Sequence, residues 1–222
     1  MLKLVLLSAW LVLTALCPSL LAADNTMTVQ LHKAAAADDA AAIKALIAEG
    51  AEIDARDASG ATALLVATHG NQVNAAQALI ESGANVNAKD NIEDSPYLYA
   101  GARGHLEILK LTLSHGADLK SINRYGGTAL IPAAERGHVE TVGTLIKAGI
   151  DVDHVNRLGW TALLEAIILA DGGPRHQAIV DLLIKAGANV NLADNDGVTP
   201  LRHARNRGYG EIAALLEKAG AK

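Results

Sequence analysis

Two markers recur through this chain at one interval, and both slip once by the same amount. Gly50, Gly83, Gly116 and Gly149 stand 33 residues apart, Gly187 follows after 38, and Gly220 after another 33. Thr62, Ser95, Thr128, Thr161 and Thr199 keep step at 33, 33, 33 and 38, which places a single five-residue insertion between Ala166 and Ile179. A fixed period of this length means tandem supersecondary units, none able to bury its own apolar face and each dependent on its neighbours.

The content of each unit reads as helix, turn, helix. An apolar stretch precedes every marker glycine, as in Leu46-Ile47, Leu79-Ile80 and Leu145-Ile146. In Val139-Glu-Thr-Val142-Gly-Thr-Leu145-Ile146 the apolar positions recur at three and four, giving one buried face. The marker Thr or Ser is placed to cap the first helix by accepting a backbone N–H, and Pro at the next position loses nothing there. The glycine after the second helix suits a left-handed cap. Leu64, Tyr97, Leu130, Leu163 and Leu201 share one position and should stack from unit to unit, each burial contributing on the order of 1.5–3 kcal/mol. The chain is 50% hydrophobic yet has no Phe, so this core is Leu, Ile, Val and Ala, which lets helix backbones approach closely and argues against a Phe-rich sandwich or a haem pocket.

These units resemble ankyrin repeats. The family pattern is fullest in Asp194-Asn-Asp-Gly197-Val-Thr199-Pro200-Leu201, in Gly104-His105 and Gly137-His138, and in Gly83-Ala-Asn-Val-Asn87 and Gly187-Ala-Asn-Val-Asn191. Three units carry Ala for Pro, Glu93 stands where Gly is expected, and Arg202 replaces the usual His. The resemblance covers about residues 28–222 and implies an all-α solenoid of helix-turn-helix units joined by short β-hairpins or turns. Six units are expected, the first without a hairpin and the last ending at the C-terminus, both serving as caps. The first helices and hairpins should line a concave face. Ile167–Ala170 is expected to extend the first helix of the fifth unit, and Asp171–His176 to form an inserted loop after it. Pro132 is expected to lie near enough to its helix start to be tolerated.

The first 23 residues read differently. Lys3 precedes an apolar run from Leu4 to Leu16, then Cys17-Pro18-Ser19, then small residues before Asp24. That layout predicts a secretory signal cut after Ala22 or Ala23; the rivals are an uncleaved anchor and a lipid on Cys17. Cleavage would leave 24–222 as one domain and remove the only Cys, so the mature chain would use neither disulfide nor thiolate. Taking Lys3 from the 19 basic residues leaves 18 against 24 acidic ones, a formal charge of −6, poorly suited to general nucleic-acid binding.

Chemistry is sparse. No zinc-protease His pair, nucleophile elbow or phosphate-binding loop occurs. His105 and His138 are repeat equivalents in different layers, and the resemblance implies that they bond neighbouring backbone. No catalytic, cofactor or metal role is expected. Binding residues are sought where the architecture leaves positions free. Hairpin tips carry Arg124-Tyr125 and Arg157-Leu158, and Trp160 is expected to be an exposed fingertip residue. Arg103, Arg136 and Arg207 share the end of the first helix. Stacking should join these eight into a basic, aromatic-edged stripe facing a protein partner with an acidic surface. The expected function is non-catalytic protein binding by a periplasmic protein, monomeric when free and off the membrane once the signal is cut. Resemblance to exported bacterial ankyrin proteins implies immunity against a periplasm-delivered toxin, or support of an envelope enzyme such as catalase; a secreted effector of host proteins is the further alternative.

Overall fold

The computed structural model describes residues 18–222, with side chains from Thr26 onward. The described residues hold twelve helices in six pairs: α1 (Pro18–Ala36) with α2 (Ala40–Ala48), α3 (Ala63–His69) with α4 (Val73–Glu81), α5 (Pro96–Arg103) with α6 (Leu106–Ser114), α7 (Leu130–Glu135) with α8 (Val139–Lys147), α9 (Ala162–Ile168) with α10 (Pro174–Lys185), and α11 (Pro200–Asn206) with α12 (Gly210–Lys218). First helices pack in the row α1, α3, α5, α7, α9, α11, and second helices in a parallel row from α2 to α12. This is a two-layer solenoid. Hairpin character is slight: one bridge, Arg56 to Thr62, is the only strand pairing among the described residues. The apolar run of the expected leader lies outside the described residues, and the expected cut falls within α1, which Pro18 opens. No described helix is long and apolar enough to cross a membrane.

Local chemistry sets the boundaries. Thr62, Ser95, Thr161 and Thr199 each accept a hydrogen bond from the backbone N–H three residues on. All six marker glycines have positive φ, from +83° to +98°. The residue after each glycine donates to a carbonyl five residues back, for example Ala84 to Leu79 and Ala188 to Leu183, both at 3.0 Å. That is the Schellman closure, and it satisfies carbonyls that the helix end leaves free. Leu64, Tyr97, Leu130, Leu163 and Leu201 are all buried and lie in one continuous core.

Two expectations need correction. The insertion does not lengthen the first helix of the fifth unit. α9 has seven residues, as α3 has; the extra residues give α10 three more than its nine-residue counterparts and add two to the loop before it. Gly172 has φ +69°, and Pro174 starts α10 where its missing N–H costs nothing. Pro132 is accommodated, but it removes the cap of its unit. Elsewhere the residue four beyond the marker donates to the marker carbonyl, as Val66 does to Thr62 at 3.0 Å. Pro132 has no N–H to give, so Ile131 donates to the Thr128 carbonyl instead, at 3.3 Å. The Thr128 hydroxyl is left buried without a partner, and α7 shrinks to six residues.

Candidate functional site

The tips between units are built by one device. Asp57, Asp90, Asn123, Asn156 and Asp194 each accept, on one side-chain oxygen, the N–H groups two and four residues on. An Asx residue closing on its own backbone fixes a tight turn. The chain then passes through a left-handed residue: Gly60, Glu93, Gly126, Gly159 or Gly197. Neighbouring tips are tied together. Arg157 N–H donates to the Tyr125 carbonyl and Asn91 N–H to the Ser59 carbonyl, both at 3.0 Å. Lys89 Nζ reaches the Ile122 carbonyl at 2.7 Å, and Arg56 bonds the Lys89 carbonyl.

Beside these tips, the inner sides of α5, α7 and α9 enclose a groove of about 360 Å³. Five of the eight residues nominated from sequence line it: Arg103, Arg124, Tyr125, Arg136 and Leu158. Arg103 lies over the Tyr99 ring at 5.3 Å, and Arg124 over the Tyr125 ring at 5.1 Å. Such a pair is worth about 0.5–1 kcal/mol at an exposed site and holds the guanidinium flat. Arg124 also pairs with Asp94 at 3.5 Å, and Arg136 donates to the Ala102 carbonyl at 2.6 Å. At the helix-end position shared by Arg103 and Arg136, unit five presents Leu169.

Three nominated residues stand apart. Arg157 is a strut, its guanidinium bonded to the Arg124 carbonyl and its stem lying against Gly126. Trp160 is half-buried and outside the groove lining, where an exposed fingertip was expected. Arg207 is exposed at the end of α11, beyond the groove.

Sequence reasoning missed the groove floor. Glu165 is 6% exposed, and one of its carboxylate oxygens accepts from Asn156 Nδ2 at 2.8 Å. Burial first, and then the nearby Glu135 charge, raise its carboxyl to about 7, although the Asn156 bond and the Arg136 charge act the other way. The nominated stripe therefore holds carboxylates as well as arginines. A signal existed: Val66, Tyr99, Pro132, Glu165 and His203 share one repeat position, and Glu165 is its only acid.

His105 and His138 make no side-chain hydrogen bond to backbone, contrary to expectation. They sit at the start of α6 and α8, where His138 lies against Gly104 of the preceding unit and His105 stacks near Tyr99 of its own. A methyl group placed on Gly104 would come within 2.7 Å of the His138 ring. Burial and neighbouring cations hold both imidazoles below the ordinary histidine value. The histidines that bond backbone across to another unit are His32, His154 and His176, to the carbonyls of Ala61, Gly126 and Glu135, while His115 bonds the Leu111 carbonyl of its own helix. Among the described residues no three His, Cys, Asp or Glu side chains converge on a point.

The family described as ankyrin repeats (three copies) matches residues 14–90, 31–123 and 97–194. An ankyrin repeat domain from Acinetobacter baumannii AYE superposes with a TM-score of 0.85 at 69% identity, over 86% of this chain and 98% of that one. A second ankyrin repeat protein, EF0377, gives 0.83 at 42% identity, over 86% and 98%. The ankyrin repeat protein YahD of Escherichia coli K12 is 59% identical over 58 residues, 26% of this chain. That match spans 29% of YahD.

Proposed function

The chain belongs to the ankyrin-repeat family, and on that premise we propose that it holds another protein in the groove across units three to five. Ankyrin repeats are protein–protein interaction modules and generally non-catalytic scaffolds. One observation carries the choice of surface: Tyr99, Tyr125 and Leu158 meet in a single recess with Arg103 and Arg136, two guanidinium groups that form no salt bridge among the described residues. Tyrosine and arginine are the side chains that dominate interface energetics. A partner with acidic residues at its contact edge matches these cations on a protein of net negative charge.

The compartment we propose is the periplasm, reached through the N-terminal leader. Fractionation of cells making the full chain should place it with periplasmic markers, shortened by about 2 kDa; full-length protein in the cytoplasm would refute export. The binding reading is tested by capturing partners from periplasmic extract with the wild type and with Tyr125→Ser/Leu158→Ser. A specific partner lost with the double variant supports the groove. Equal capture by both refutes it.

A further inference from the structure

The exposed apolar side chains fall in a pattern. Ile92, Tyr125 and Leu158 occupy the same tip position in three consecutive units and are 53%, 58% and 52% exposed. Ser59 and Asp196 hold that position in units two and six. The protein therefore carries a ridge of three apolar residues, one per unit, bounded by polar residues at both ends. Scattered exposed hydrophobics need no explanation, but a register-matched row beside a recess marks an interaction site. The row is held rigid. The Arg124–Asp94 ion pair and the Lys89–Ile122 bond join the first two tips, and the Arg157–Tyr125 backbone bond joins the second two.

Resting on the groove reading, we infer that the partner lays an extended acidic segment in the polyproline II conformation along Ile92, Tyr125 and Leu158, with an apolar side chain at every third residue. Spacing decides the conformation. Helices in successive units pack about 8–10 Å apart, so the ridge residues repeat at about that distance. A polyproline II chain rises about 9.3 Å per three residues, and residues three apart share one edge. A β-strand rises about 10 Å in three residues but turns the third side chain to the opposite face. An α-helix returns after seven residues, about 10.5 Å, but it is about 10–12 Å across and too wide for its side chains to sit on the ridge while it enters a recess of this size.

The segment's chemistry follows from its surroundings. A polyproline II backbone makes no internal hydrogen bonds, so its carbonyls need donors. Arg103, Arg124 and Arg136 line the groove with five N–H donors each, of which the protein uses few. With the apolar edge on the ridge, a second edge faces these cations and favours Asp or Glu.

The test uses the whole exported chain and three acetylated, amidated twelve-residue peptides. One repeats Leu-Pro-Glu, one has the same composition with the three-residue period scrambled, and one repeats Leu-Pro-Lys. Affinity is read by calorimetry or amide chemical shifts. The periodic acidic peptide should bind at least about tenfold more tightly than either control, about 1.4 kcal/mol, since the scrambled peptide loses apolar contacts on the ridge and the Lys peptide sets like charges against the groove arginines. Tyr125→Ser and Leu158→Ser, both at exposed positions, should abolish that preference while thermal unfolding is unchanged. Equal binding of the periodic and scrambled peptides, tighter binding of the Lys peptide, or no binding of any would overturn the inference. A protein partner captured through the groove while all three peptides fail leaves the groove reading intact and removes this one alone.

Discussion

Replacing Glu165 with Gln should stabilise the protein, and only above the acid range. The Glu165 carboxyl is raised from 4.5 to about 7 because burial and Glu135 oppose its charge. A group whose folded pKa lies above its unfolded one favours the folded state fully below the unfolded value, and loses that contribution as pH rises through the folded value. The full displacement corresponds to about 3 kcal/mol at 1.36 kcal/mol per unit. Glu165 faces an open groove, so solvent screening reduces this to about 1–2 kcal/mol. Gln keeps the acceptor for Asn156 Nδ2 and drops only the charge. Urea unfolding of both proteins across pH measures the difference, in which titrating groups that do not interact with Glu165 cancel. The variant and wild type should match near pH 4 and diverge by about 1–2 kcal/mol by pH 8, with the change falling between the two pKa values. A difference independent of pH, or a less stable variant at pH 8, would refute the assignment of a strained carboxyl to the groove floor.

Three further changes test the local account. Glu93→Gly should stabilise by about 1 kcal/mol in urea melts, because Glu93 holds φ +67° in a turn where the equivalent residues are glycine; a loss would contradict the tip geometry. Thr128→Val should be neutral or stabilising, because its buried hydroxyl has no partner, whereas Thr161→Val should cost about 1 kcal/mol by removing a working cap; equal losses would contradict the account of Pro132. Gly104→Ala should cost clearly more than Gly83→Ala, since both have positive φ but only the former places a methyl against His138; His138→Ala should recover part of the difference, and a double-mutant cycle measures how much.

The architecture was legible because its signals are local and repeated. Marker glycines and Thr and Ser caps each act within about five residues, so reading them requires no knowledge of the neighbours. The failures share the opposite property. Pro132 and Thr128 are individually ordinary, and the lost cap comes from a backbone hydrogen bond that Pro132 has no N–H to donate to Thr128. Glu165 reads as one more solvated helix carboxylate until the Asn156 tip is seen closing over it. Trp160 was judged by its place at a tip, and Arg157 by its charge, yet one is half-buried and the other is spent on tying two tips together. The insertion was located by arithmetic, but which helix would take up the residues depended on Gly172 and Pro174 choosing where α10 begins. Ile92 was passed over because a lone apolar tip residue is unremarkable until it aligns with Tyr125 and Leu158.

Amide hydrogen exchange of the protein with its captured partner tests the central claim most directly, since it reports which surface becomes covered. New protection should appear at tips 90–94, 123–127 and 156–160 and along α5, α7 and α9, with the outer sides of α6, α8 and α10 unchanged. Protection confined to those second helices, or to the terminal units, would contradict a docking face built from the tips and first helices of units three to five.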